Sequence, residues 1–301
     1  MDAATIVKRV RALSGITRKE LAELADLSPS TIGRIERGEV DPTWGTLSRI
    51  LSATGYQISG GTIVSAGDTS AVAAARPWIR AALEALEAST YAFSPALVSS
   101  AQEMAAAAVS NNVKNWSEIW GSVIKNFTVS LPVVPSVTTD WWERWQRAGW
   151  LKDGAAADDL VTLAISAGNA AKISRRSGLQ RAVDAPDGWQ SLARMLSDAG
   201  VDYAVSGLVA TRDDRSVADA NLPVFYVEDP VDIESRFSLS PAAPGQGVLL
   251  VEGSGGELDD VEVEDEIRFV PRSQAILDAL AGSGREPDKA ENELRKLLTA
   301  A

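Results

Sequence analysis

The chain has 301 residues, 45% of them hydrophobic and 23% charged, with a formal net charge of -12. It contains no cysteine and no histidine, which excludes disulfides, thiolate nucleophiles, imidazole bases and the usual zinc ligand sets. The length fits two or three domains. No apolar run reaches the roughly 18 residues of a membrane span, and the N-terminus lacks a leader's apolar block, so a cytoplasmic protein without membrane contact is expected.

Residues 1–57 hold eight basic and seven acidic side chains, a balance of +1, which leaves -13 for the rest. The two parts therefore present different fields to a partner, and the acidic part is not expected to meet nucleic acid. Four short helices are predicted in the first part, over 3–13, 17–25, 28–37 and 43–54. Thr17 followed by Glu20 reads as a capping box. Ser28 is the next N-cap, Pro29 fits the first helical position and Gly38 can end the helix in the left-handed region. Leu21, Leu24 and Ala25, then Ile32 and Ile35, give each helix one apolar stripe. Two such helices joined by the tight turn "ADLS" make a helix-turn-helix.

The segment "TRKELAELADLSPSTIGRIERGEVDPTWGTLSRILSATG" resembles the repressor-type helix-turn-helix family of phage repressors and their bacterial relatives, in particular through S-x-x-x-I-x-x-I-E-x-G followed by an Asp-Pro turn. The resemblance implies operator DNA as partner. Ser30 and Arg34 would read bases from the recognition helix, whose N-terminal residues Ser28, Pro29 and Thr31 also face DNA. Thr17, Arg18 and Arg37 would contact phosphate. Pro29 stands where the family often has a polar reader. Glu36, unsuited to DNA, would pair with Arg11.

After residue 58 the stretch "SGGTIVSAGDTSA" reads as a flexible linker over 59–72. A helical middle region is expected over 73–139, anchored by Trp78, Trp116 and Trp120. The cluster "DWWERWQRAGW", with Trp141, Trp142, Trp145 and Trp150 beside Arg144 and Arg147, is read as core and interdomain packing rather than as a base-stacking platform.

The C-terminal region is taken as 140–301, and over roughly its last hundred residues the texture changes. "VDYAVSG", "LPVFYVED", "GVLLVEG" and "EIRFVPR" are strand-like, and helices near 187–199 and 273–281 flank them, so an α/β or α+β domain is expected. The fold class is thus multidomain α and α/β: an all-α helix-turn-helix domain over 1–58, the linker, the helical middle and the C-terminal domain. "GVDYAVSGLVA", "LPVFYVEDPVDI", "PGQGVLLVE" and above all "PRSQAILDALAGSGREP" resemble the C-terminal domain of AbiEi-type antitoxins. That family usually carries a winged DNA-binding module, from which this chain departs. The resemblance implies an antitoxin that represses its own operon and a cognate toxin of the AbiEii nucleotidyltransferase type; homodimers on DNA are expected because a single module of this size reads only a half-site. Arg272, Ser273, Gln274 and Arg285 are the partner-facing candidates of that block.

"DYAVSGLVA" also resembles the opening strand and glycine of nucleotidyltransferase-like folds. Such an enzyme needs two carboxylates two residues apart on the next strand to hold a metal ion. Here Phe225, Tyr226 and Val227 fill that strand, and Pro230 takes Glu228, Asp229 and Asp232 out of register. Asp213, Asp214 and the run "ELDDVEVEDE" read as solvated charges. No enzyme, cofactor or metal is expected. A one-component regulator whose C-terminal domain senses a small molecule is the competing function.

Overall fold

A computed structural model describes residues 2–92, 136–152, 155–220, 222–243, 245–253 and 256–299. The N-terminal helices are α1 (Ala3–Leu13), α2 (Arg18–Leu24), α3 (Pro29–Glu36) and α4 (Trp44–Ala53). Each starts at the side chain its sequence provides: Asp2 accepts from the Thr5 amide, Thr17 from Glu20, Ser28 from Thr31 and Thr43 from Thr46. Capping satisfies amides that a helix start leaves unpaired. Ile6, Val7, Val10, Leu21, Leu24, Ile32, Ile35, Leu47 and Ile50 are buried together.

The stretch expected to be a tether is structured. β1 (Tyr56–Ser59) and β2 (Thr62–Ser65) form an antiparallel hairpin with Ile58 opposite Ile63, and α5 (Thr69–Ala92) begins four residues later. The composition of 59–72 is that of a linker, but its Gly60-Gly61 pair, both with positive φ, makes a hairpin turn instead. The 58/59 boundary thus falls inside β1. The 139/140 boundary falls inside α6 (Ser136–Ala148). Trp116 and Trp120, with the middle of the expected helical region, lie outside the described residues.

The aromatic cluster packs inward. Trp141 and Trp145 are buried, and the indole of Trp141 donates to Asp68 Oδ2 at 3.0 Å while that of Trp142 donates to the Ala74 carbonyl at 2.8 Å. Both bonds give a large apolar ring the polar partner its N–H needs when buried. α7 (Ala157–Ala170) lies against α5, and its last residue touches the N-terminal module: a Cβ on Gly55 would come within 2.4 Å of Ala170 Cβ. The Asp68 amide donates to the Ala170 carbonyl at 2.9 Å. Helices of both ends of the chain consequently share one apolar core, from Ile6 to Leu298.

A second core surrounds a six-stranded mixed sheet. Its strands are β3 (Gln180–Val183), β4 (Tyr203–Ser206), β5 (Val224–Val227), β6 (Val248–Glu252), β7 (Glu262–Glu264) and β8 (Ile267–Phe269), in the order β3-β6-β5-β4-β8-β7. β4 and β5 are buried at every position, as expected of central strands covered on both faces. The β5–β6 and β4–β8 pairs are parallel and the others antiparallel. α8 (Trp189–Asp198) and α9 (Pro230–Arg236) flank the sheet, with Trp189 edge-on to Phe225 and Phe269. The multidomain α and α/β class holds.

α10 (Arg272–Ala281) runs between the two cores and is buried at every position from Ser273 to Ala281, the mark of an interior helix. Its Asp278 accepts from Arg176 Nη2 at 2.8 Å, from Tyr226 Oη at 2.9 Å and from Ser206 Oγ at 2.7 Å. These bonds offset the cost of burying the ion pair. α11 (Glu286–Thr299) closes the chain against α10 and α7.

Candidate nucleic-acid interface

The turn between α2 and α3 passes through Asp26 at φ 54, and Leu27 N–H then bonds the Ala22 carbonyl at 2.8 Å. Aspartate tolerates this left-handed conformation better than most residues. The turn sets α3 across α2 with Ile32 and Ile35 facing inward. Ser28, Pro29, Ser30, Arg34 and Arg37 are exposed, and Thr31 is half-buried. The residues expected to meet DNA from this element are thus at the surface, Ser28 to Thr31 around its first turn and Arg34 and Arg37 along its outer side.

Within that face the side chains are not equivalent. Ser28 Oγ lies 2.8 Å from both Ser30 Oγ and Thr31 Oγ1, making a hydroxyl cluster at the start of α3. Arg34 has no ion pair within 4 Å among the described residues, leaving its planar donor fork open for an acceptor pair such as that of guanine. Arg37 is bonded to Glu39, with Nη2 3.1 Å from Oε2, and must exchange that exposed pair for any phosphate. Thr17 spends its hydroxyl on the cap of α2.

Glu36 is 1% exposed and ties the three helices together: Arg11 Nε bonds Oε1 at 2.6 Å and Arg18 Nε bonds Oε2. The first pairing is as the resemblance implied. The second was not anticipated, and it fixes the guanidinium of Arg18, still half exposed, at the first position of α2. Burial raises the Glu36 carboxyl, but the two arginines outweigh it and hold it below the ordinary glutamate value.

Sequence reasoning also passed over Trp44, 68% exposed at the first position of α4 and the most exposed large apolar side chain of this module. Periodicity hid it: Trp44 stands three and seven residues before Leu47 and Leu51, in register with the buried stripe, and only its place in the first turn leaves it outside the core.

The block proposed to face a partner is placed differently. Ser273 and Gln274 are 2% and 1% exposed. They cannot be contact residues in this conformation, because α10 is enclosed on all sides. Arg272 is turned to Asp213 at 3.1 Å, and only Arg285 is fully at the surface. Among the described residues no group of acidic side chains is arranged to hold a metal ion, and no helix is long and apolar enough to cross a membrane.

A capped helix pair with a tight turn, one exposed polar face carrying an uncommitted arginine, and a buried carboxylate locking three helices define a DNA-binding module. Residues 7–60 match the family model for helix-turn-helix proteins, and the chain is on that ground similar to DNA-binding transcriptional regulators. No curated protein and no solved structure matches the chain.

Proposed function

We propose that the protein is an autorepressing antitoxin: its N-terminal module binds the operator of its own operon, and the region over 140–301 neutralises a nucleotidyltransferase-like toxin. The observation that carries the DNA-binding half is the exposed face of α3, with Arg34 open and Ser30 beside it, on a segment that matches the helix-turn-helix family. The antitoxin half is supported by the resemblance of the C-terminal segments, above all "PRSQAILDALAGSGREP". Arg285 is the exposed charged side chain of that block and the place to look for a toxin contact. One module reads only a half-site, so the protein acts as a homodimer on a repeated operator, in the cytoplasm.

The test is twofold. Gel shifts with the promoter upstream of the gene should show preference over random DNA at moderate salt, and co-expression should rescue growth when the neighbouring toxin is induced. Binding without rescue would leave the repressor and remove the antitoxin. A ligand-sensing one-component regulator is the second reading, and a cavity beside α11 favours it.

A further inference from the structure

Two segments distinguished by their glycines, 75 residues apart in sequence, meet across a cavity of about 310 Å³. One is the end of β4, where Ser206 turns inward to Asp278 and Gly207, at φ 82, leads the chain into a 3-10 turn over Leu208–Thr211. The other is the turn "AGSGREP" between α10 and α11. Leu222, ahead of β5, completes the wall with a positive φ of 52. A leucine held there is a strained backbone, and such strain gathers at binding sites.

The charges bordering the cavity are opposite in sign and few. Arg212 is committed to Asp214 through two bonds of 2.7 and 2.8 Å. Glu286 is folded back over its own turn, its Oε2 so near Gly282 that a Cβ there would lie at 2.3 Å. Lys289 and Asp219 remain, both exposed and both without an ion pair or side-chain hydrogen bond among the described residues, the Lys289 ammonium acting only at longer range on the Glu286 carboxyl one turn away. Between them the lining is apolar, from Leu208, Val209, Ala220 and Pro223. A polyanion such as a nucleoside triphosphate is disfavoured, since Asp213, Asp214 and Glu293 border the adjoining groove.

We infer that this cavity binds a small zwitterion of the α-amino-acid class, Lys289 taking its carboxylate, Asp219 its ammonium, and Leu208 with Leu222 an aliphatic side chain. The volume is at the lower end of small-molecule sites, which suits a ligand of that size. The site deepens the ligand-sensing reading and is independent of DNA or toxin contact, so its failure is separable from theirs.

The experiment is thermal denaturation of the full chain with each proteinogenic L-amino acid at millimolar concentration, followed by calorimetric titration. An aliphatic member, with L-leucine as the reference probe, should raise the Tm. Isopentylamine, which lacks the carboxylate, and 4-methylpentanoate, which lacks the ammonium, should each bind about tenfold more weakly or worse. Asp219→Asn and Lys289→Met should each lower L-leucine affinity by a similar factor while leaving the Tm of the unliganded chain unchanged, both side chains being at the surface. The inference is overturned if no L-amino acid raises the Tm, if the two truncated analogues bind as well as L-leucine, or if both variants bind it as tightly as the parent. Stabilisation by inorganic phosphate or ADP in place of amino acids would overturn it too, by assigning the cavity to an anion.

Discussion

At the scale of single residues, the helix-turn-helix module offers a proposed reader, Arg34, and a support, Glu36. Arg34 is open, and its fork matches the acceptor pair of guanine, so Arg34→Ala should cost about 1–3 kcal/mol of operator affinity and relax discrimination at one base pair. Competition gel shifts against single-base operator variants would show it. Loss spread evenly over all sequences would make Arg34 a phosphate contact instead. Glu36 supports: Glu36→Gln keeps the shape but removes the charge that Arg11 and Arg18 share, and should destabilise the fold by about 1–3 kcal/mol. The direction of its pKa adds a pH signature. A carboxyl held below its unfolded value of about 4.3 contributes stability that is complete above that pH and is lost as pH falls through the lower folded value. The Gln variant should therefore lack part of the acid-side slope of stability, which denaturant titrations across that range would measure.

At the scale of elements, the informative contact is the end of α7 against the hairpin start. Gly55 adopts φ 74 and a Cβ there would collide with Ala170 at 2.4 Å. Gly55→Ala combines backbone strain with overpacking and should cost about 2–4 kcal/mol. A Tm near that of the parent would mean that the hairpin and α7 are not in firm contact. The same stretch reaches further: Lys172, two residues after Ala170, donates to the carbonyls of Leu280 at 2.8 Å and Gly282 at 3.2 Å. Burial pushes its ammonium pKa down. The turn that walls the cavity and the N-terminal module thus lean on two residues of one chain segment, Lys172 and Ala170.

At the scale of the whole molecule, the charge partition and the packing point in different directions. A net +1 against -13 reads as two modules with separate tasks, and residues 59–72 as the tether between them, so that either part could be cut away intact. The shared core argues otherwise: removing 1–58 would expose apolar surface of α6 and α7 to water. The full chain should melt its N-terminal and helical parts in one transition, and the fragment 59–301 should have a lower Tm than the parent; equal stabilities in calorimetry would restore the modular view. DNA affinity should fall steeply with salt, as counterion release requires of a site whose cationic contacts are arginines.

The sequence alone determined what is local. Caps, apolar stripes and turn glycines placed α1–α4 almost to the residue, and the continuous apolar runs gave β4, β5, β6 and β8, because hydrogen bonds and periodicity within ten residues specify such elements. The strands β3 and β7 and the hairpin escaped, since "QRAV", "EVE" and "TIVS" carry short, mixed patterns that only a paired neighbour makes into strands. Only the tertiary structure decided that Ser273 and Gln274 lie inside, that Arg18 joins Glu36, and that Gly207 and Lys289 face one cavity. Each of these depends on which apolar surfaces close upon each other over long separations in the chain, and burial is a property of that closure, not of any single segment.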